Sequence, residues 1–281
     1  MDRLANWWLD FFQAEPGREK WWERKKALCQ DRGVEVTQIR GNGHVFEELR
    51  YDQQSTFQYL LHLSFLMKQK GYFYQEEHVL PLKFRVRNEQ IEHIKLDVQP
   101  EKHVESISSE LADIHDTAGY RFNYDRLAAV KYAERWWNDY NPAFRKFQVD
   151  CTNYISQCLY AGGAPMRGAP NRGKGWWYQN DNWSYSWAVA HALRWYLSGS
   201  TQGLKGRELE SADELIPGDV ICYDFEGDGR FDHNTIVVAK DAYGMPLVNA
   251  HTENSRNRYW SYEDSTAWTP NITYKFFRIG E

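Results

Sequence analysis

The amino-acid sequence predicts an α+β protein of two domains, a small α+β domain followed by a larger one. Changes in hydrophobic period are the basis of this prediction. Apolar residues recur every three or four positions near the N-terminus, then at every second position, and later return to the helical spacing. We place the first domain at 1–105, a polar linker at 106–122 and the second domain at 123–281.

Composition excludes several classes of protein. The chain has 34 Lys and Arg against 39 Asp and Glu, a formal net charge of −5, so we expect no nucleic-acid partner. The four cysteines contain no Cys-x-x-Cys pair, so neither a zinc site nor a disulfide framework is predicted, and we expect no metal and no cofactor. The sequence contains no apolar run long enough for a membrane span and no secretory signal, which predicts a cytoplasmic protein of undetermined oligomeric state.

The first domain is predicted to consist of one helix and an antiparallel meander. Helical spacing of the aromatic residues covers residues 2–28. Strict alternation of apolar and polar residues follows over 57–67, 82–86 and 94–98, which predicts four or five strands. We find no catalytic constellation among these residues.

The second domain opens with a helical pattern over 124–137 and then a second, more informative helix. Apolar residues at 151, 154, 155, 158 and 159 lie on one helical face, Asp150 is a candidate N-cap, and Gly162-Gly163 is a stop signal. Cys151 would therefore occupy the first turn. Unpaired N–H groups and the helix dipole at that position should lower the pKa of its thiol, as a nucleophile requires.

Three strands are predicted downstream of this helix, over 220–223, 233–238 and 247–251. His233 begins the second of them, and pairing with the third would bring it near Asn249 or His251. A cysteine at a helix N-terminus, a histidine on one strand and a polar residue on the next is the layout of papain-like nucleophilic sites.

Three segments carry a resemblance to a known family: DCTNYISQCLYAGG, LIPGDVICYDFEGDGRFDHNTIVV and PLVNAHTEN. From about Tyr124 to the C-terminus, the chain resembles the bacterial "Putative amidase domain" family, which is related to the NlpC-type and CHAP-type cysteine peptidases and amidases. The resemblance implies a papain-like fold with the nucleophile helix packed on an antiparallel sheet. It also implies that Cys151 is the nucleophile and His233 the general base and acid. The third catalytic position is Asn249 or His251, and Asn249 matches the family pattern better.

The resemblance implies cysteine-dependent hydrolysis of an amide bond, with a cell-wall peptide or glycopeptide as substrate. The thiolate would attack the amide carbonyl, and the backbone N–H of Cys151 would stabilise the oxyanion. Asp150, Thr152 and Asn153 would contact substrate, with Thr152 and Asn153 standing where those relatives usually have small residues. Two alternatives stay open: a peptide- or glycan-binding protein that keeps the fold without turnover, and an acyltransferase of the same architecture.

Two further segments are ambiguous. Trp176, Trp177 and Trp187 lie between the nucleophile helix and the histidine strand, where they could stack on a peptide or sugar or simply pack in the core. The acidic segment 224–232 matches several positions of a calcium loop, but Thr235 replaces the bidentate glutamate, and strands flank the segment where a calcium loop has helices. We interpret it as a hairpin loop in which Asp232 could influence the substrate entrance or His233.

Overall fold

The computed structural model describes residues 2–13, 20–51, 54–87, 90–95 and 122–280. The chain divides into two compact units. The first comprises 1–97 together with 261–268, and the second comprises 98–260 together with 269–281. All of the predicted linker 106–122 except residue 122 lies outside the described residues.

The first unit combines two helices with an antiparallel meander. The sequence predicted one helix, whereas the structure has two, and the intervening sequence carries Pro16 and Gly17, the two weakest helix formers. The meander is present, and consecutive strands pair in order. Its elements are α1 (Asp2–Gln13), α2 (Lys20–Asp31), β1 (Glu35–Tyr51), β2 (Gln54–Gln69), β3 (Tyr72–Arg87) and β4 (Gln90–Lys95).

Alternation along β2 builds the core of the first unit. Its odd-numbered residues from Tyr59 to Met67 are buried and form one cluster with apolar residues of both helices. Strands β2 and β3 are joined by Lys70 and Gly71, both at positive φ, as a tight two-residue hairpin turn requires. The period-two run correctly predicted this strand, because one face of β2 is buried while the other is half-buried or exposed.

The second unit is mixed α/β with an antiparallel sheet. Hydrogen-bonded pairs give the strand order β11-β10-β9-β8-β12-β7 among the described residues. A separate short hairpin is formed by β5 and β6. The elements are α3 (Arg126–Trp136), α4 (Cys151–Ala161), β5 (Tyr178–Gln179), β6 (Asn182–Trp183), α5 (Tyr185–Ala188), α6 (Ala190–Gly199), β7 (Gly206–Leu209), a 3-10 turn (Ala212–Glu214), β8 (Val220–Asp224), β9 (His233–Lys240), β10 (Pro246–Ala250), β11 (Asn254–Tyr259) and β12 (Thr273–Ile279).

Helix α4 is the central element of this second unit. Its first nine residues are all buried, and its apolar residues share a core with residues of α3, α6 and the sheet. Cys222 of β8 and Ile236 of β9 belong to that core, which identifies the face of the sheet turned toward the helices. None of the helices in the described ranges is long and apolar enough to cross a membrane.

Candidate active site

Cys151 is the first residue of α4 and lies against the start of β9. Its Sγ is 3.7 Å from the Thr152 hydroxyl and accepts a hydrogen bond from the backbone N–H of Asn234. The side-chain amide of Asn234 donates to the Thr152 hydroxyl at 3.0 Å. The thiol is therefore held between the first turn of the helix and the residue that follows His233.

The electrostatics of the thiol differ from the sequence expectation. Burial raises the pKa of Cys151 above its ordinary value near 9, although the hydrogen bonds from Thr152 and Asn234 oppose this effect. Only 1% of the Cys151 surface is exposed, and this desolvation disfavours the thiolate. Burial therefore favours the neutral thiol at this position.

His233 immediately precedes Asn234, the residue that contacts Cys151, but the side chain of His233 points away from α4. Consecutive strand residues project to opposite faces, and Asn234 faces the helix. The imidazole of His233 accordingly packs beside Tyr223 and Phe225, with ring centroids 5.6 and 6.1 Å away. In the part of the chain that the structure describes, no hydrogen bond joins this ring to the Sγ of Cys151.

Two charged residues that the sequence analysis did not single out act on His233. Burial and the cation of Arg258 lower the pKa of His233 to about 3, and the carboxylate of Glu253 opposes them. The guanidinium of Arg258 is itself 4.0 Å from the Glu253 carboxylate. Glu253 comes from the turn that connects β10 and β11, within the segment PLVNAHTEN that carries the family resemblance, but no spacing pattern indicated a role for it.

Asn249, the favoured third catalytic residue, is engaged elsewhere. Its Nδ2 donates to Glu134 of α3 at 2.9 Å, and its Oδ1 accepts the backbone N–H of Asn257 at 2.9 Å. The pairing of β10 with β11 shifts register at this point, and Asn257 has a positive φ. Asn249 therefore stabilises a β-bulge, and its amide faces away from His233 because it lies on the helix side of the sheet.

His251, the other candidate for the third position, is also committed. Its Nδ1 lies 2.8 Å from the Asp150 carboxylate, and its Nε2 donates to the carbonyl of Trp136 at 2.7 Å. The ring stacks on Tyr154 with a centroid separation of 4.0 Å. With both nitrogens occupied, the imidazole anchors the residue preceding Cys151 and has no free site for the thiol proton.

Asp150, Thr152 and Asn153, predicted to contact substrate, are buried and bound to the protein itself. Asp150 stands at the N-cap position without making the capping bond, because its Oδ1 accepts from the backbone N–H of Phe147 and from Asn153. Its own N–H donates to the hydroxyl of Thr252, a β-branched residue at φ 85°, where such backbone is strained. These contacts hold the first turn in place and present no polar group to a substrate in this conformation.

The predicted stacking surface of tryptophans is core. Trp176, Trp177 and Trp187 are buried, and each indole N–H has an acceptor. Trp187 donates to the Oδ1 of Asn153 at 2.8 Å. The tryptophans thus support the back of α4, and their assignment to substrate binding does not fit this structure.

The acidic segment 224–232 forms a hairpin loop that closes on itself. The two carboxylate oxygens of Asp224 accept backbone N–H groups from Gly227, Asp228 and Gly229. Oxygens of Asp224, Glu226 and Asp232 lie within 4.8 Å of one another, which is compatible with a cation, yet the Asp224 oxygens are already satisfied. Asp232 is exposed, and partial burial of its carboxyl together with the neighbouring Glu226 raises its pKa to about 7.

Comparison with known proteins supplies relatives for most of the chain. The chain is 49% identical over 275 residues to "Uncharacterized protein YhbB" of Bacillus subtilis (strain 168), covering 95% of this chain and 88% of that protein. It is 28% identical over 192 residues to "Uncharacterized protein YjcM" of the same organism, covering 65% of this chain and 44% of that protein. No solved structure is significantly similar.

The second unit carries the family assignment. The family described as "Putative amidase domain" matches residues 123–277, which contain Cys151, His233 and the elements from α3 to β11. A match over more than half of the chain supports a general amidase function for this unit. The chain is a member of the "Putative amidase domain" family.

Proposed function

We propose that the second unit hydrolyses an amide bond by acyl transfer to Cys151. The observation that carries this proposal is the position of Cys151 at the start of α4, with its Sγ against the backbone N–H of Asn234 and therefore next to His233. The first N–H groups of a helix have no acceptor within the helix, so they are suited to stabilise an oxyanion beside this sulfur. Cell-wall peptide is the proposed substrate class, which rests on the resemblance to NlpC-type and CHAP-type enzymes.

The mechanism starts from a neutral thiol and a neutral imidazole. Because the His233 ring faces away from α4 in this structure, the mechanism requires the start of β9 to rearrange when substrate binds, so that the imidazole reaches the sulfur. His233 takes the thiol proton as the sulfur bonds to the carbonyl carbon. The carbon–nitrogen bond then breaks while the imidazolium gives its proton to the leaving amine, and water hydrolyses the thioester.

We assign the positioning of His233 to Glu253. Asn249 and His251 are held by other partners, whereas the Glu253 carboxylate is the group that favours the protonated imidazole. A carboxylate in this role stabilises the imidazolium formed during attack without becoming protonated itself. Arg258, 4.0 Å from Glu253, limits that effect in the resting protein.

The test is amine release from isolated cell-wall stem peptides, followed by mass spectrometry. Cys151→Ala should lower the rate by about a thousandfold or more, because removal of a nucleophile eliminates the covalent route. Cys222→Ala, which removes another buried thiol from the same core, is the matched control and should retain the rate. Equal rates for the wild type and Cys151→Ala would contradict the proposal.

A second candidate function is the binding of a peptide or glycan by a protein that has the amidase fold but does not hydrolyse its ligand. The burial of Cys151 and the missing hydrogen bond to His233 favour it. Stem-peptide binding with no amine release by the wild type would support this alternative. Transfer of the acyl group to an added amine would indicate an acyltransferase.

A further inference from the structure

Three cations and two aromatic rings form a surface close to the first turn of α4. We call it the basic aromatic surface: Arg145, Lys146, Arg172, Tyr140 and Trp183. The guanidinium groups of Arg145 and Arg172 lie 5.2 and 4.8 Å from the centroid of Trp183. Lys146 Nζ is 3.8 Å from the ring centroid of Tyr140.

This surface is built on the residues that flank the nucleophile. Asn153 donates from its side chain to the carbonyl of Arg145 at 2.9 Å, and Asp150 accepts the N–H of Phe147 at 2.9 Å. Phe147 in turn packs edge-on against Trp183, with centroids 4.8 Å apart. The residues immediately before and shortly after Cys151 therefore fix the position of the loop that carries Arg145 and Lys146.

The charge on this surface is largely uncompensated. The carboxylate of Asp181 lies 3.5 Å from Arg145, but both side chains are more than half exposed, so the pair is weak. Among the described residues, Arg172 and Lys146 have no carboxylate within ion-pair distance. The guanidinium of Arg172 is oriented by two contacts with Trp183. It stacks on the indole ring, and its Nε donates a hydrogen bond to the Trp183 carbonyl at 3.1 Å.

We propose that the basic aromatic surface binds a carboxylate of the substrate, so that the amidase selects acidic peptides. A planar guanidinium held against an aromatic ring keeps donors free for bidentate binding of a carboxylate and loses little side-chain entropy on binding. The aromatic rings add apolar area for the peptide itself. This inference rests on the proposed function, because it places the selected carboxylate beside the bond that Cys151 attacks.

The test uses two peptidyl vinyl sulfones that differ only in Glu against Gln next to the electrophile, with the rate of Cys151 labelling followed by mass spectrometry. The Glu probe should label the wild type about fivefold faster at low salt, the upper range for exposed ion pairs. Arg145→Gln/Arg172→Gln should bring the ratio close to one. Lys240→Gln is the matched control, because Lys240 lies at the opposite end of β9 from His233. Glutamine at this position can still donate to the Asp213 carbonyl. This variant should keep the faster labelling by the Glu probe.

Each other outcome overturns the inference in a distinguishable way. Equal labelling of Cys151 by both probes in the wild type would reject carboxylate selection and leave the proposed function standing. A preference that persists in the double arginine variant would show that another part of the protein reads the carboxylate. Absence of Cys151 labelling with both probes would reject the proposed function and this inference together.

Discussion

Two groups of buried titratable side chains, one in each unit, are held in opposite charge states. In the first unit, Lys25 is 2.5 Å from Glu76 and 3.2 Å from Asp264, and all three are almost completely buried. Although burial opposes both shifts, the ion pairs raise the pKa of Lys25 and lower that of Glu76, so the cluster is ionised. In the second unit, burial raises the pKa of Cys151 and lowers that of His233, so that pair is neutral.

The difference in charge between these two groups of side chains indicates a different role for each. In the first unit the ammonium of Lys25 bridges two buried carboxylates, and it occupies the space in which Glu76, His78 and Asp264 could otherwise hold a metal. In the second unit burial favours the uncharged forms of Cys151 and His233, so the proposed mechanism requires the thiol to lose its proton during the attack on substrate.

Lys25→Met should have the largest effect on stability. It leaves two buried carboxylates without their cation, and we expect a loss of about 3–5 kcal/mol in the free energy of unfolding of the first unit. Denaturant unfolding followed by tryptophan fluorescence measures this loss. Lys26→Met is the matched control, because its ion pair with Glu23 is only half-buried and its removal should cost no more than about 0.5 kcal/mol. Similar losses in both variants would contradict the ionised cluster.

His251→Phe separates a structural from a catalytic role for His251. Phenylalanine can still stack on Tyr154, but the Asp150 carboxylate and the Trp136 carbonyl each lose a partner. We expect a loss of about 2–3 kcal/mol in stability. Thermal unfolding of the two proteins in parallel provides the measurement. Unchanged stability together with a loss of amide hydrolysis would instead make His251 a catalytic residue.

Glu253→Gln tests the group that positions His233. Removing this carboxylate leaves Arg258 unopposed, which should lower the pKa of His233 further below 3 and make the imidazole a weaker base. We expect a fall of about three- to tenfold in kcat/KM, corresponding to roughly 1 kcal/mol, and an acid limb displaced to lower pH. A pH profile of amine release measures both. Glu208→Gln on β7 should leave the profile unchanged, and an identical profile for Glu253→Gln would remove Glu253 from the mechanism.

His233 and Asp232 should make opposite contributions to stability as a function of pH. The lowered pKa of His233 means that the unfolded chain binds more protons between about pH 3 and 6.5, so stability rises with pH across that window. The raised pKa of Asp232 means that the folded protein binds more protons between about pH 4 and 7, so stability falls with pH there. Urea unfolding at several pH values should show a shallower rise in His233→Gln than in the wild type and a steeper one in Asp232→Asn.

Trp187→Phe should have the smallest effect. It removes the hydrogen bond to Asn153 but keeps a ring beside Trp176, so we expect a loss of about 1 kcal/mol in stability. Substrate affinity should not change, because Trp187 is buried. A large increase in KM with unchanged stability would restore the stacking role that the sequence suggested.

Local patterns predicted several elements of this fold, whereas α6, β7, β11 and β12 had no counterpart in the prediction. The period-two run over 57–67 gave β2, and the helical spacing from Cys151 to Leu159 gave α4 with its start at the correct residue. Alternation over 247–251 also placed Asn249 and His251 on one face, and both contact residues of α3 in the structure. These features depend on neighbours within a few residues.

The remaining features depend on contacts between distant residues. Residues 261–268 belong to the first unit, where Asp264 accepts a hydrogen bond from Lys25. These two residues are 239 positions apart in the sequence, so no local pattern predicts their contact. The hydrogen-bond partners of Asn249 and His251 come from α3 and from the residue before α4. Strand alternation therefore predicted the face on which these two side chains lie, but it could not predict their structural role. The raised pKa of Cys151 has the same origin, because its burial is completed by the start of β9.

The charge state of Cys151 is the central claim and can be measured by site-resolved alkylation with iodoacetamide across pH. We expect the Cys151 rate to rise with a midpoint above pH 9, with the same midpoint in His233→Ala, because a neutral imidazole does not stabilise a thiolate. Cys158 and Cys222 should stay unlabelled and so report that the fold is intact. A Cys151 midpoint below pH 8 that moves upward in His233→Ala would show a preformed thiolate–imidazolium pair and contradict the account.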